Sequence, residues 1–169
     1  MLVMACACDA PWDGPTTPSG ARPISYSTLG NGPPVEHDGV YAATSITALR
    51  AMIVNASHRP DPCHPWATAV NMCWENVPDR AGYVYIAVPN PAVCYRTVKD
   101  TAAINGHHLY FIFWIGKVQR VCNLALAIPT WRLVSFARSD LPASGTLTVD
   151  LQTQEDGQTQ DITTQIDLG

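Results

Sequence analysis

Residues 58–64 read His58-Arg59-Pro60-Asp61-Pro62-Cys63-His64, and with Cys73 they make the densest cluster of reactive side chains in the chain. Thiolates and imidazoles are zinc ligands, and structural zinc sites usually supply them in pairs two to four residues apart. Cys63 and His64 are adjacent, so on an extended chain they point apart and do not share an ion. Cys6-Ala7-Cys8 is too tight for a zinc knuckle. A cysteine nucleophile needs a histidine base within reach, and Cys63, Cys73, Cys94 or Cys122 could meet His37, His58, His107 or His108. Nothing local selects a pair. The sharp-turn serine signature, the zinc-protease helix and the phosphate loop are all absent. Gly30-Asn31-Gly32 runs into Pro33-Pro34 and cannot open a helix. His107-His108 beside Asn105-Gly106 reads as a turn entering a strand. The expectation is a buried loop with free thiols, no catalytic residue, no metal and no cofactor: a chain that is not an enzyme.

Carboxylate pairs for sugar hydrolysis must face one another across elements, but six of the fourteen acids lie in residues 138–169 among Thr and Gln, where a solvated face accounts for them. Five tryptophans, Trp12, Trp66, Trp74, Trp114 and Trp131, are able to stack on sugars. Core packing is the stronger reading for Trp114 and Trp74. Trp12 sits among prolines without apolar company, as an aromatic anchor for another protein's pocket would.

These residues must be positioned by a chain of 169 residues that is 47% hydrophobic but only 14% charged, against roughly 25% in ordinary domains. Such a surface is solvated by Ser, Thr, Gln and Asn, or is covered by a partner. The formal charge is −4, and residues 138–169 hold six acids (Asp140, Asp150, Glu155, Asp156, Asp161, Asp167) against Arg138 alone. No run of Lys or Arg occurs, which argues against direct nucleic-acid binding and against an anionic membrane surface. No apolar stretch reaches the ~18 residues of a spanning helix. Met1 to Cys6 lacks the basic flank and length of a secretory signal and reads as a buried segment. Without such a signal, free thiols are expected over disulfides. Asn55-Ala56-Ser57 fits a glycosylation acceptor, a triplet common by chance.

Three zones follow. Residues 1–34 are an N-terminal segment and an extended arm, since Pro11, Pro15, Pro18, Pro23, Pro33 and Pro34 exclude helix and central strand over most of it; Ile24–Thr28 is one candidate strand. Residues 35–140 are a β-rich core. Ile46, Leu49 and Ile53 predict a helix between Val40 and Ile53, with Asp38 as N-cap. Trp66–Trp74 fits either helix or strand. Strands are expected at Tyr83–Val88, Val93–Val98, His108–Ile115, Lys117–Ile128 and Trp131–Ala137, with Asn105-Gly106 as a turn. His108–Ile115 is apolar on both faces and should be buried on both, or lie between a core and an interface. Residues 141–169 form an acidic, polar hairpin, Gly145–Gln152 with Gln160–Ile166, which must join the main sheet or another molecule because a lone hairpin is marginal. One domain overall is expected: mainly β, a β-sandwich or jelly-roll-like fold, with one or two short helices in residues 40–75.

The arm, the low charge and the polar hairpin together predict a structural or assembly subunit of a larger protein particle, such as a minor or decorating protein of a virion or phage. Its partners would be other protein subunits, in homo- or hetero-assembly, with no nucleic acid and no membrane. If viral, it would reside in the virion. Candidate partner-binding residues are Trp12, Pro15, Pro18 and Ile24 in the arm, with Leu147, Val149 and Ile162 in the hairpin. The alternative is a small carbohydrate-binding module or a Cys/His-dependent hydrolase.

Overall fold

The computed structural model describes residues 15–34, 39–56, 74, 77–90, 97–115, 130–155 and 158–169. Two sheets face each other. The first runs in the order β1 (Arg22–Pro23), β5 (Thr97–Asn105), β6 (His108–Ile115), β8 (Thr146–Glu155), β9 (Gln158–Asp167). The second runs in the order β2 (Ser27–Pro34), β7 (Thr130–Ala137), β4 (Tyr83–Asn90), β3 (Tyr41–Ala43). Every neighbouring pair is antiparallel except β6 and β8, which run parallel. The protein is mainly β, with a β-sandwich-like architecture.

Alternation decides which side chains fill the space between the sheets. Leu109, Phe111 and Phe113 of β6 meet Val84, Ile86 and Val88 of β4 and Val134 and Phe136 of β7. From the hairpin, Leu147, Val149 and Leu151 add to the same core. Phe111 is its hub, with Tyr26 edge-on at 5.0 Å and Phe113 at 5.1 Å between ring centroids. Each fully buried side chain of this size contributes about 1.5–3 kcal/mol. β6 is the central strand of its sheet and is apolar on its other face too, where Ile112 is fully buried.

The far face of the second sheet carries its own apolar layer. Helix α1 (Ile46–Ala56) lays Ile46, Leu49 and Ile53 against Tyr85, Ala87, Trp131 and Leu133. The three helical positions read from the sequence are thus the buried ones, but the helix begins later than expected, because Tyr41–Ala43 pairs with β4 as a strand. Its cap also differs. Ser45 Oγ accepts the Ala48 N–H at 3.0 Å, and the Asp79 carboxylate accepts the Ile46 N–H and the Thr47 hydroxyl. A carboxylate at a helix N-terminus satisfies orphan donors and complements the dipole. The proposed cap, Asp38, lies outside the described residues.

The proline-rich zone is also strand, but at an edge. β2 contains Gly30, Gly32, Pro33 and Pro34 and accommodates them by two register shifts, as edge strands permit. Gly32 is required by close approach: a Cβ there would lie 2.5 Å from the Trp74 ring and 3.2 Å from Trp131. The strand predicted at Val93–Val98 is observed from Thr97 to Asn105, and residues 91–96 lie outside the described set. Asn105-Gly106 does turn the chain: Asn105 pairs with His108 across a two-residue loop, with Gly106 at φ 56°. Lys117–Ile128 and Trp66–Cys73 lie outside the described residues.

Candidate functional site

A sheet edge exposes unpaired N–H and C=O groups, and proteins blunt such edges with short strands, proline, bulges or charge. Among the described residues, three of the four sheet edges are blunted. β1 has two residues and ends on proline, β3 has three, and β2 is interrupted by register shifts and closes on two prolines. β9 is different. It pairs with β8 over ten consecutive positions without a shift, and it holds no proline and no lysine. Among the described residues nothing pairs with its other side.

The phase of the ladder identifies the outward groups. Leu168 N–H donates to the Gly145 carbonyl at 3.0 Å, continuing the β8–β9 register. Bonded and non-bonded pairs alternate along an antiparallel ladder. Ile162, Thr164 and Ile166 therefore exchange bonds with β8. Thr159, Asp161, Thr163, Gln165 and Asp167 turn their N–H and C=O groups to the free edge, and all five are exposed. Their side chains lie on the sheet's outer face, beside Thr148, Asp150, Gln152 and Gln154 of β8.

Two contacts tie this face to the rest of the molecule. Asp150 links three strands: its Oδ2 lies 3.3 Å from His108 Nδ1 on β6, and its Oδ1 accepts the Thr163 hydroxyl at 2.9 Å. His108 stacks on Tyr110 and remains half exposed. At the end of β8, the Gln154 amide exchanges two hydrogen bonds with the backbone of Thr16, each 3.0 Å. Side-chain hydrogen bonds thus link β6, β8 and β9 across this face.

A second polar cluster lies between the sheets. Arg132 of β7 forms an ion pair with Asp100 of β5, donates to Thr28 Oγ1 at 3.0 Å, and sits over the rings of Tyr26, Phe111 and Phe113. Burial, reinforced by the Asp100 carboxylate that its hydroxyl faces, pushes the Tyr26 pKa up to about 12. Burial also raises that of Tyr41. This second cluster fastens one sheet to the other.

The residues proposed from sequence fall unevenly. Ile24, Leu147 and Val149 lie in the inter-sheet core, so their side chains serve this fold and offer nothing to a partner. Ile162 is half-buried against the same core. Pro15 and Pro18 are half-buried in the stretch that meets Gln154, and Pro18 accepts a bond from Ala21 N–H. The described part of the arm is therefore held by its own domain: Thr16 by β8, Arg22–Pro23 by β5, Ile24 by the Ala102 carbonyl and the core, and Ser27–Pro34 by β7. It was expected to need a neighbour because it has few apolar anchors; backbone pairing supplies what side chains lack. Trp12, all six cysteines and His37, His58 and His64 lie outside the described residues. His107 and His108 diverge, one to the Ser144 carbonyl and the other to Asp150. Trp131 and Trp74 are buried in the α1 layer, where no sugar could stack.

Among the described residues no three His, Cys, Asp or Glu side chains gather to hold a metal, and no helix is long and apolar enough to cross a membrane. Comparison with protein-family models, curated proteins and solved structures finds no match for this chain.

Proposed function

We propose that the protein is an assembly subunit of a larger protein particle, and that it receives an extended strand from a different neighbouring subunit along the free edge of β9. The observation that carries this reading is the contrast between edges: ten unbroken residues of strand without proline or register shift, where the other edges among the described residues are short, bulged or closed by proline. Strand addition takes its affinity from main-chain bonds and its specificity from alternate side chains. A role as a minor or decorating protein of a virion or phage is the wider setting, by analogy of fold type alone.

Charge favours a different chain over a second copy. Residues 146–167 contain Asp150, Glu155, Asp156, Asp161 and Asp167 with no Lys or Arg. Pairing β9 with itself would bring the same acids to both sides of the seam, and like charges across strands destabilise. A partner strand bearing Lys or Arg gains from the same field.

The test uses Gln165→Pro, which removes an outward N–H and leaves the bonds to β8 intact. Its counterpart Ile166→Pro removes a bond to β8 and should unfold the hairpin. The probe is a ten-residue peptide alternating lysine and threonine, read by amide exchange on the full chain. Protection of Thr159, Asp161, Thr163, Gln165 and Asp167 by the peptide in the wild type, lost in Gln165→Pro, is the expected result. No protection at saturating peptide, or self-association that Gln165→Pro abolishes, would overturn the reading.

A further inference from the structure

Away from β9, on the far face of the second sheet, the chain forms a partly open cavity of about 220 Å³ lined by Ser27, Leu29, Val77, Pro78, Arg80, Tyr83, Tyr85 and Ser135. The ladder explains its floor. Ser27, Ser135 and Tyr85 are cross-strand partners on β2, β7 and β4, so three hydroxyl side chains stand in one row on one face. The loop before β4 forms the wall with Val77, Pro78 and Arg80.

The polar groups of this cavity donate more than they accept. Ser135 is 4% exposed, is the one polar residue among the buried described side chains, and lines the floor of the cavity. The Tyr85 hydroxyl accepts the Arg80 N–H at 2.8 Å, so its own hydrogen is left to give. Tyr83 and Ser27 add two more hydroxyls. The Arg80 guanidinium has no ion-pair partner among the described residues, because its neighbour Asp79 is engaged at the start of α1. Among the described residues no carboxylate lines the cavity. Leu29, Val77 and Pro78 supply apolar walls. A dry cavity of about 150 Å³ already holds a benzene ring, so this one takes a ring with a small substituent.

We infer that this cavity binds a small monocarboxylate with a ring-sized apolar body, its carboxylate taken by Arg80 and the hydroxyls of Ser135 and Tyr85. The site is separate from the strand edge, and its fate does not depend on that reading. A peptide ending in a free aromatic carboxylate carries the same chemistry; the volume matches a single ring and its acid group, which favours the free acid.

The test is calorimetric titration of the full chain with benzoate, with its neutral isostere benzamide, and with the peptide acetyl-Gly-Gly-Phe bearing a free C-terminus. Saturable benzoate binding is expected, with benzamide at least about tenfold weaker, since hydrogen bonds to a charged group are worth that much. Arg80→Met, at an exposed position, should weaken benzoate about tenfold or more. Ser135→Val fills the floor with methyl groups and should abolish binding; the smaller Ser135→Ala, which spares the fold, should weaken it severalfold. Three results would overturn the inference: no saturable benzoate binding, equal affinity for benzamide, or benzoate affinity unchanged in Arg80→Met and Ser135→Ala. Binding of the peptide with benzoate silent would overturn the assignment to a free acid.

Discussion

Replacing Arg132 by methionine keeps the length of the side chain and removes its charge from between the sheets. The Arg132 side chain is 15% exposed and that of Asp100 24%. Losing one member of a buried pair strands the other charge and costs roughly 3–5 kcal/mol. Asp100 retains some water, which answers part of its charge, so the expected loss is about 2–4 kcal/mol. The guanidinium also faces three aromatic rings at 5.7–6.0 Å, but methionine keeps most of that packing. Asp100→Asn preserves an acceptor for Tyr26 and leaves Arg132 uncompensated, at about 2 kcal/mol. The double variant buries no stranded charge and should be little worse than either single one, giving a coupling of about 2 kcal/mol. Urea unfolding followed by tryptophan fluorescence measures all four proteins, and Arg132→Met should melt roughly 5–15 °C below wild type. A loss under about 1 kcal/mol, or strictly additive effects, would refute the idea that this pair fastens the two sheets.

The other expectations concern neighbouring parts of the same framework. Tyr26, raised from the ordinary tyrosine value of 10.0 to about 12, is held neutral by the fold; its contribution is complete below pH 10 and is lost as pH rises through about 12. Two pKa units correspond to about 2.7 kcal/mol, discounted to roughly 1–2 because Tyr26 is partly exposed to solvent. Tyr26→Phe should remove this extra loss between pH 10 and 12, and a wild-type stability curve identical to the variant's over that window would contradict it. Gly32→Ala drives a methyl group into the Trp74 ring and against the Trp131 Cβ and should cost about 1–3 kcal/mol by thermal unfolding; a neutral effect would show that Trp74 does not rest on β2.

The sequence by itself determined the strand content and the places where apolar faces must be buried. Tyr83–Val88, His108–Ile115 and Trp131–Ala137 are strands because β-branched and aromatic side chains alternate there with little polar interruption, and Ile46, Leu49 and Ile53 mark a helix by their spacing. Asn105-Gly106 announced a turn through the glycine's freedom at positive φ. The two-faced apolar character of β6 called for burial on both sides or a place between a core and an interface, and the thin apolar face of 145–166 called for the main sheet or another molecule to join; strand order puts β6 mid-sheet and the hairpin beside it.

What the sequence left open is what backbone pairing decides. A segment rich in proline and glycine carries no periodic apolar signal, so nothing local told that Ser27–Pro34 would pair with β7 or that Thr16 would meet Gln154. The same blindness assigned Ile24, Leu147 and Val149 to a partner, when each fills the space between the sheets. Hydrogen bonds along a strand are blind to side-chain type, so which edge stays open depends on strand order. Only the tertiary structure places β9 at the rim of its sheet, sets Ser135 at the floor of a cavity, and brings Asp100 to Arg132 from the opposite sheet.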